Sequence, residues 1–193
     1  LTRLRETIAI VRNLLQGESV THQGRVFDVS DAGLGGGAPA ESIPIYIAAL
    51  GPKMLELGGE VADGVLLNWT ASEYLKEAVE HVRQGAEKAG RDPSEIEIAG
   101  YVRVAVGDDV TAARASLQRQ IARYAGMSYY RKFFDGTGFQ REMAEAQRAL
   151  EHGDAETAYN AITLEMQDQV ALVGTAEHCR TELEKRRAFG LQL

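Results

Sequence analysis

Cysteine is nearly absent from this chain: Cys179 stands alone in 193 residues, which excludes an internal disulfide and any cysteine-rich metal site. No apolar run approaches the roughly 20 residues needed to span a bilayer, and the opening residues do not read as a secretory leader. A reducing cytoplasm is the expected compartment. No basic run exceeds a few residues, and the formal net charge is −7. Nucleic acid and an anionic membrane are therefore not expected partners.

Several kinds of chemistry are missing as well. The sequence has no Gly-x-Ser-x-Gly elbow, no P-loop and no zinc motif. His22, His81, His152 and His178 lie far apart, and no two share metal-ligand spacing, so each is expected on a solvated surface. Acidic pairs such as Glu95/Glu97 and Glu182/Glu184 are expected to be solvated in the same way. Cys179 sits beside Arg180 without a paired histidine, which makes it a poor nucleophile. No metal is implied, and no residue of this chain is named as catalytic. These residues do not run a reaction by themselves.

What is present is an ordinary α/β composition, 45% hydrophobic and 25% charged. Its most informative stretch is Pro44 to Thr70. Two apolar runs, Ile45–Leu50 and Gly64–Asn68, flank a helical segment from Pro52 to Ala62. Short apolar runs bounded by Gly and Pro suit strands buried on both faces of a parallel sheet. At the Gly51-Pro52 step a strand hands over to a helix N-terminus. Proline costs no hydrogen bond there, and glycine lets a ligand approach the backbone. Unpaired N–H groups and the positive dipole end favour an anion, phosphate above all. Most Gly-Pro turns of this kind bind nothing, so the anion site and the bare turn both remain open.

The rest of the chain reads as alternating elements. Residues 1–16 form an amphipathic helix with an apolar stripe of Leu4, Ile8, Val11 and Leu15, stopped at Gly17. Val20–Val29 reads as a small hairpin or extended excursion, and Asp31–Ser42 as a loop, whose glycines lack the context of a nucleotide fingerprint. A helix over Ser72–Ala89 precedes a single strand over Ile96–Val106, with Ile96, Ile98, Val102, Val104 and Val106 on one face. Asp108 and Asp109 can cap the next helix, Val110 to Ala125. Residues 126–170 break the rhythm and look helical. Their cluster Tyr129-Tyr130-Arg131-Lys132-Phe133-Phe134 is either core or a lid over a planar ligand. A strand at Ala171–Gly174 and a helix capped by Thr175 follow. The first residues lie inside a helical pattern, and Gly190-Leu191-Gln192-Leu193 begins a new strand, so both ends are expected to be cut.

Alternating βα units imply parallel strands joined by right-handed crossovers. Two architectures fit: a doubly wound sheet, or part of a (β/α)₈ barrel, which needs eight units and about 250 residues against the roughly four units here. Either way the pocket forms at the strand C-termini. One wall would be Ala48 to Lys53, the other Asn68-Trp69-Thr70.

The stretch IYIAALGPKMLELGGEVADGVLLNW closely resembles the region from the fifth to the sixth strand of the bacterial luciferase-like monooxygenase superfamily. It is nearest to the branch that uses coenzyme F420, which includes methylenetetrahydromethanopterin reductases. LLQGESVTHQGRVFDV is similar to the family's segment after the fourth barrel helix, AEKAGRDPSEIEIAGYVRVAVGDD to its helix-turn-seventh-strand stretch and LVGTAEHCRTELEKRRAFG to the lead-in to its eighth strand, so the resemblance covers most of the chain apart from 126–170. It implies one domain over 1–193, the C-terminal part of a TIM barrel, with 126–170 as a helical insertion or lid. It implies a deazaflavin or flavin at the strand C-termini, with Ala49, Leu50, Gly51, Pro52 and Lys53 binding the coenzyme and Asn68, Trp69 and Thr70 facing the substrate. The implied activity is hydride transfer between coenzyme F420 and a small organic substrate. An FMN-dependent monooxygenase fed by a separate reductase, a non-catalytic flavin-binding relative and a self-contained phosphate-ligand domain are the alternatives. Homodimers are common in the family, the sole basis for expecting one here. Its usual acid/base residues and cis-peptide bulge lie on the first four strands, outside the matching stretch; a polypeptide starting at Leu1 is expected to be inactive.

Overall fold

The computed structural model describes residues 1–192, with Asp135 described by its backbone alone. The chain divides into two compact units. The first contains residues 1–67, 77–99 and 192, and the second residues 68–76 and 100–191.

In the first unit, α1 (Thr2–Leu15) packs on a two-stranded antiparallel hairpin, β1 (Val20–Gln23) and β2 (Asp28–Ala32). Hydrophobic stripe and hydrogen bonding divide the work on α1. Ile8 is buried, while Val11 is 37% exposed, so the expected stripe is narrower than its spacing suggested. Glu6 is buried instead and caps the hairpin turn, accepting the N–H groups of Arg25 at 2.8 Å, Val26 at 3.1 Å and Phe27 at 2.9 Å.

The sheet follows. β3 (Tyr46–Ala48), β4 (Gly64–Asn68) and β5 (Glu97–Tyr101) stand in the order β3-β4-β5, with β3 and β4 parallel in the register Tyr46↔Gly64 to Ala48↔Leu66. The crossover helix α2 (Pro52–Val61) joins them, as expected for strands that must exit at the same end. Asp63 ties the sheet at the opposite end. Its N–H donates to Ile45 O at 2.9 Å, its carboxylate accepts the Ile45 N–H at 2.7 Å, and its carbonyl accepts the Glu97 N–H at 3.0 Å. Arg12 adds an ion pair to the same carboxylate at 3.1 Å. Helix α3 (Ser72–Lys88) lies against α2 at backbone distance: a Cβ on Gly59 would run into Val82 O, and one on Gly85 into the Glu56 carbonyl. Two glycines inside helices cost propensity, and this approach is what they allow.

The expected single strand over Ile96–Val106 is two strands. β5 ends at Tyr101, and β6 (Arg103–Val106) pairs parallel with β7 (Ala171–Gly174) in a separate two-stranded sheet. Val104 and Val106 are 56% and 59% exposed, so the apolar alternation does not mark one buried face. Gly100 interrupts the apolar series midway, and Val102 is paired in neither sheet.

The second unit is mostly helical: α4 (Thr111–Ala125), α5 (Ser128–Asp135), α6 (Gln140–Glu151), α7 (Ala155–Asn160), α8 (Leu164–Val170) and α9 (Ala176–Ala188). Thr175 caps α9 as expected, accepting the His178 N–H at 3.2 Å, whereas the N-cap of α4 is Val110 without a side-chain bond and Asp109, one residue earlier, accepts the Thr111 N–H at 3.0 Å. The core gathers Ile121, Phe134, Met143, Ile162, Met166 and Leu172. Gln192 returns to the first unit, where its N–H donates to Ile98 O at 2.9 Å; of the strand expected at the C-terminus, Leu193 lies outside the described residues.

Expected surface groups are more enclosed than the sequence implied. Nε2 of His22 lies 3.6 Å from the Glu6 carboxylate and Nδ1 of His81 lies 3.8 Å from Glu56, and both rings are half-buried. Glu97 accepts the Tyr46 hydroxyl, and Glu182 holds Lys185 and Arg186. Cys179 is buried with its thiol toward the Ala105 and Gly174 carbonyls, which suits packing rather than reactivity. No helix among the described residues is long and apolar enough to cross a membrane.

Candidate functional site

The first candidate wall is the turn from β3 into α2. The Ala49 N–H still follows the parallel ladder, donating to Leu66 O at 3.2 Å, and Ala49 and Leu50 are buried. Gly51 is the N-cap with an extended backbone (φ −92°, ψ 155°), and Pro52 occupies the first helical position as expected. The donor inventory is smaller than a generic helix N-terminus offers. Proline has no N–H, and the N–H groups of Met54 and Leu55 both go to Gly51 O, at 3.0 and 3.1 Å. Among the described residues the N–H groups of Gly51 and Lys53 remain without a partner, beside an exposed Lys53 side chain. No heavy atom lies within 4 Å of where a Gly51 Cβ would stand. Open space over a glycine, two free donors and a cation together fit an anionic group.

The second candidate wall is the turn after β4, and it belongs to a larger cluster than the sequence suggested. Trp69 takes a left-handed conformation (φ 55°), rare for a large residue, and its ring is 1% exposed. The guanidinium carbon of Arg103 lies 3.8 Å from the Trp69 ring centroid. Tyr124 meets the same indole edge-on at 5.5 Å, and also meets the Tyr130 ring edge-on at 4.4 Å. Asn68 is spanned from both sides. Its Nδ2 donates to the Tyr130 hydroxyl at 2.7 Å, and its Oδ1 accepts from Nη1 of Arg103.

Electrostatics follow from this geometry. The Tyr124 phenol is held below its ordinary value, first by the Trp69 indole N–H, with further lowering from the Asn68 amide and the positive charge of Arg103 and Arg123. The indole faces that hydroxyl without full hydrogen-bond geometry, so Nε1 of Trp69 and Oγ1 of Thr70 are buried donors with no partner among the described residues. Such groups are costly unless something meets them.

The aromatic-basic stretch of α5 divides by role. Phe133 and Phe134 are core, as the plainer reading expected, and Arg131 caps α4 by donating to Ala125 O at 3.0 Å. Tyr130 is the exception, since it reaches Asn68; Tyr74 also meets Phe133 edge-on at 5.2 Å, so α5 covers the segment after β4. Arg103 and Tyr124 were not among the expected site residues. The signal for Arg103 was a lone cation inside the apolar run Tyr101–Val106; nothing in the periodicity separates Tyr124 from the core-facing stripe of α4.

Comparison with known proteins identifies relatives along the whole chain. The sequence model of the family described as luciferase-like monooxygenase matches residues 1–193. A 5,10-methylenetetrahydromethanopterin reductase of Methanolobus tindarius is 33% identical over 196 aligned positions, covering 99% of this chain and 58% of that protein. The solved coenzyme F420 dependent tetrahydromethanopterin reductase from Methanopyrus kandleri matches with a TM-score of 0.78 at 27% identity, over 98% of this chain and 55% of that one. An F420-dependent secondary alcohol dehydrogenase in complex with an F420-acetone adduct shares the fold, with a TM-score of 0.69 at 22% identity over 97% of this chain and 52% of that one. The chain thus spans about half the length of the relatives it matches.

Proposed function

Because this chain belongs to the luciferase-like monooxygenase family, whose members form TIM barrels, we propose that it is part of an oxidoreductase that moves a hydride between coenzyme F420 and a small organic substrate. The observation that carries this reading is the 33% identity to a methylenetetrahydromethanopterin reductase along 99% of the chain. Bound coenzyme would supply the hydride chemistry, while the protein positions and encloses the reacting groups. In this reading Ala49, Leu50, Gly51, Pro52 and Lys53 hold the coenzyme, with Gly51 leaving room for close approach and Lys53 offering an N–H and a cation. Asn68, Trp69 and Thr70 form the substrate wall, with α5 as a lid fastened through Tyr130. Residues 126–170 would be the insertion that carries that lid.

A second reading is an FMN-dependent monooxygenase, and the family's description as a monooxygenase favours that type of reaction. Titrating the longer enzyme with F420 and with FMN, each oxidised and reduced, separates the two. Saturable F420 binding with hydride transfer supports the proposal; tight FMN binding without F420 binding overturns it.

A further inference from the structure

Arg103 carries a charge that no carboxylate of the described residues neutralises, although other enclosed arginines of the same unit have one. Arg114 lies 2.8 Å from Asp168, and Arg186 lies 3.7 Å from Glu182. The plane of the Arg103 guanidinium is nevertheless fixed on two sides. Nη1 donates to Asn68 Oδ1 and to Tyr101 O, the latter at 3.1 Å, and the flat face lies on Trp69. Among the described residues Nε and Nη2 donate to nothing. The contacts therefore hold the group while leaving one edge free, and that edge can engage two oxygens of a carboxylate or phosphoryl group in parallel.

Space exists beside it. Arg103 lines a cavity of about 220 Å³ together with Ala113, Ser116, Gln120 and Val173. That is below the ~300–1,000 Å³ of a typical whole-ligand pocket and suits a single charged group with its nearest atoms. Ser116 and Gln120, hydrogen-bonded to each other at 3.3 Å, add polar atoms to the lining.

We propose that the free Nε–Nη2 edge of Arg103 is a recognition site for a small oxyanion group, a carboxylate or a phosphoryl, carried by the substrate or by the coenzyme. The existence of the site stands on the geometry of this unit; only the source of the anion rests on the proposed function.

Trp69 is the only tryptophan of the chain and lies against Arg103, so its fluorescence reports on the site directly. Inorganic phosphate and acetate are titrated in turn against chloride at matched ionic strength. A saturable response to either oxyanion, absent with chloride and weakened at least tenfold in Arg103→Met, is the expected result. Should Arg103→Met melt early, Arg103→Lys carries the comparison, because it keeps the charge and loses the fork. No saturable response in the wild-type chain, or an unchanged midpoint in a folded variant, overturns the site. In the longer enzyme, a raised substrate KM with unchanged coenzyme affinity in Arg103→Lys places the anion on the substrate, and the reverse places it on the coenzyme. Loss of F420 turnover in the wild type, with the fluorescence response intact, would overturn the proposed function and leave the anion site standing.

Discussion

Glu6 on α1 accepts the backbone N–H of Phe27 at 2.9 Å, and this contact, with those to Arg25 and Val26, clamps the β1–β2 turn to the helix. The turn N–H groups hold the Glu6 carboxyl below its ordinary 4.5, the Phe27 N–H most of all, with the His22 ring adding to the effect. A carboxylate whose pKa falls on folding contributes stability that is complete above its ordinary value and is lost as pH falls through the folded one. Glu6→Gln is therefore expected to melt below wild type at neutral pH and to converge on it as pH drops under 4.5. A gap in melting temperature that stays constant across that range would show that ionisation of Glu6 does not matter.

Gly85→Ala tests the contact between α2 and α3. The added methyl would meet the Glu56 carbonyl, a backbone group that cannot rotate away. Overpacking of this kind costs ~1–3 kcal/mol, a fall of roughly 2–4 °C in Tm per kcal/mol at this chain length. A Tm equal to or above wild type, as helix propensity alone predicts, would mean the helices separate without cost.

Gly51→Val separates binding from folding at the first wall. Its Cβ has no heavy-atom neighbour within 4 Å, so thermal stability should hold. Coenzyme affinity in the longer enzyme should fall at least tenfold, about 1.4 kcal/mol, as the branched side chain fills the space over the turn. Unchanged affinity would remove this turn from the coenzyme site.

Trp69→Ala is expected to act on stability before it acts on the substrate. Removing a ring that is 1% exposed costs ~3–5 kcal/mol. Trp69→Phe keeps most of the packing, and with it a change in substrate KM larger than any change in coenzyme affinity assigns the wall. If neither constant moves in Trp69→Phe, the ring is packing alone.

Tyr130→Phe removes the hydroxyl that meets Asn68 at 2.7 Å. A hydrogen bond of this type contributes ~0.5–1.5 kcal/mol net. Amide exchange along α5 should accelerate by up to about tenfold while the core amides of α4 keep their protection. Equal exchange in both proteins would mean that Tyr130 does not fasten the helix.

The sequence by itself determined most of the elements. Short apolar runs closed by Gly and Pro placed β4 and β7 to the residue, Pro52 and Thr175 marked helix starts, and the alternation of β and α gave the parallel pairing of β3 with β4 and of β6 with β7. These are local signals, carried by side-chain period, missing N–H groups and caps. The stretch around Asp63 was legible as a resemblance, but only the tertiary structure explained it: Asp63 joins Ile45, Glu97 and Arg12, partners distant in the chain. The split between β5 and β6 was invisible for the same reason, since the apolar alternation runs through it and the partner of each half lies elsewhere. Asn68-Trp69-Thr70 was legible as a strand end. That it carries Arg103 on the Trp69 face and Tyr130 on Asn68 was decided by packing between segments 35 and 62 residues away in sequence, a relationship that no local pattern encodes.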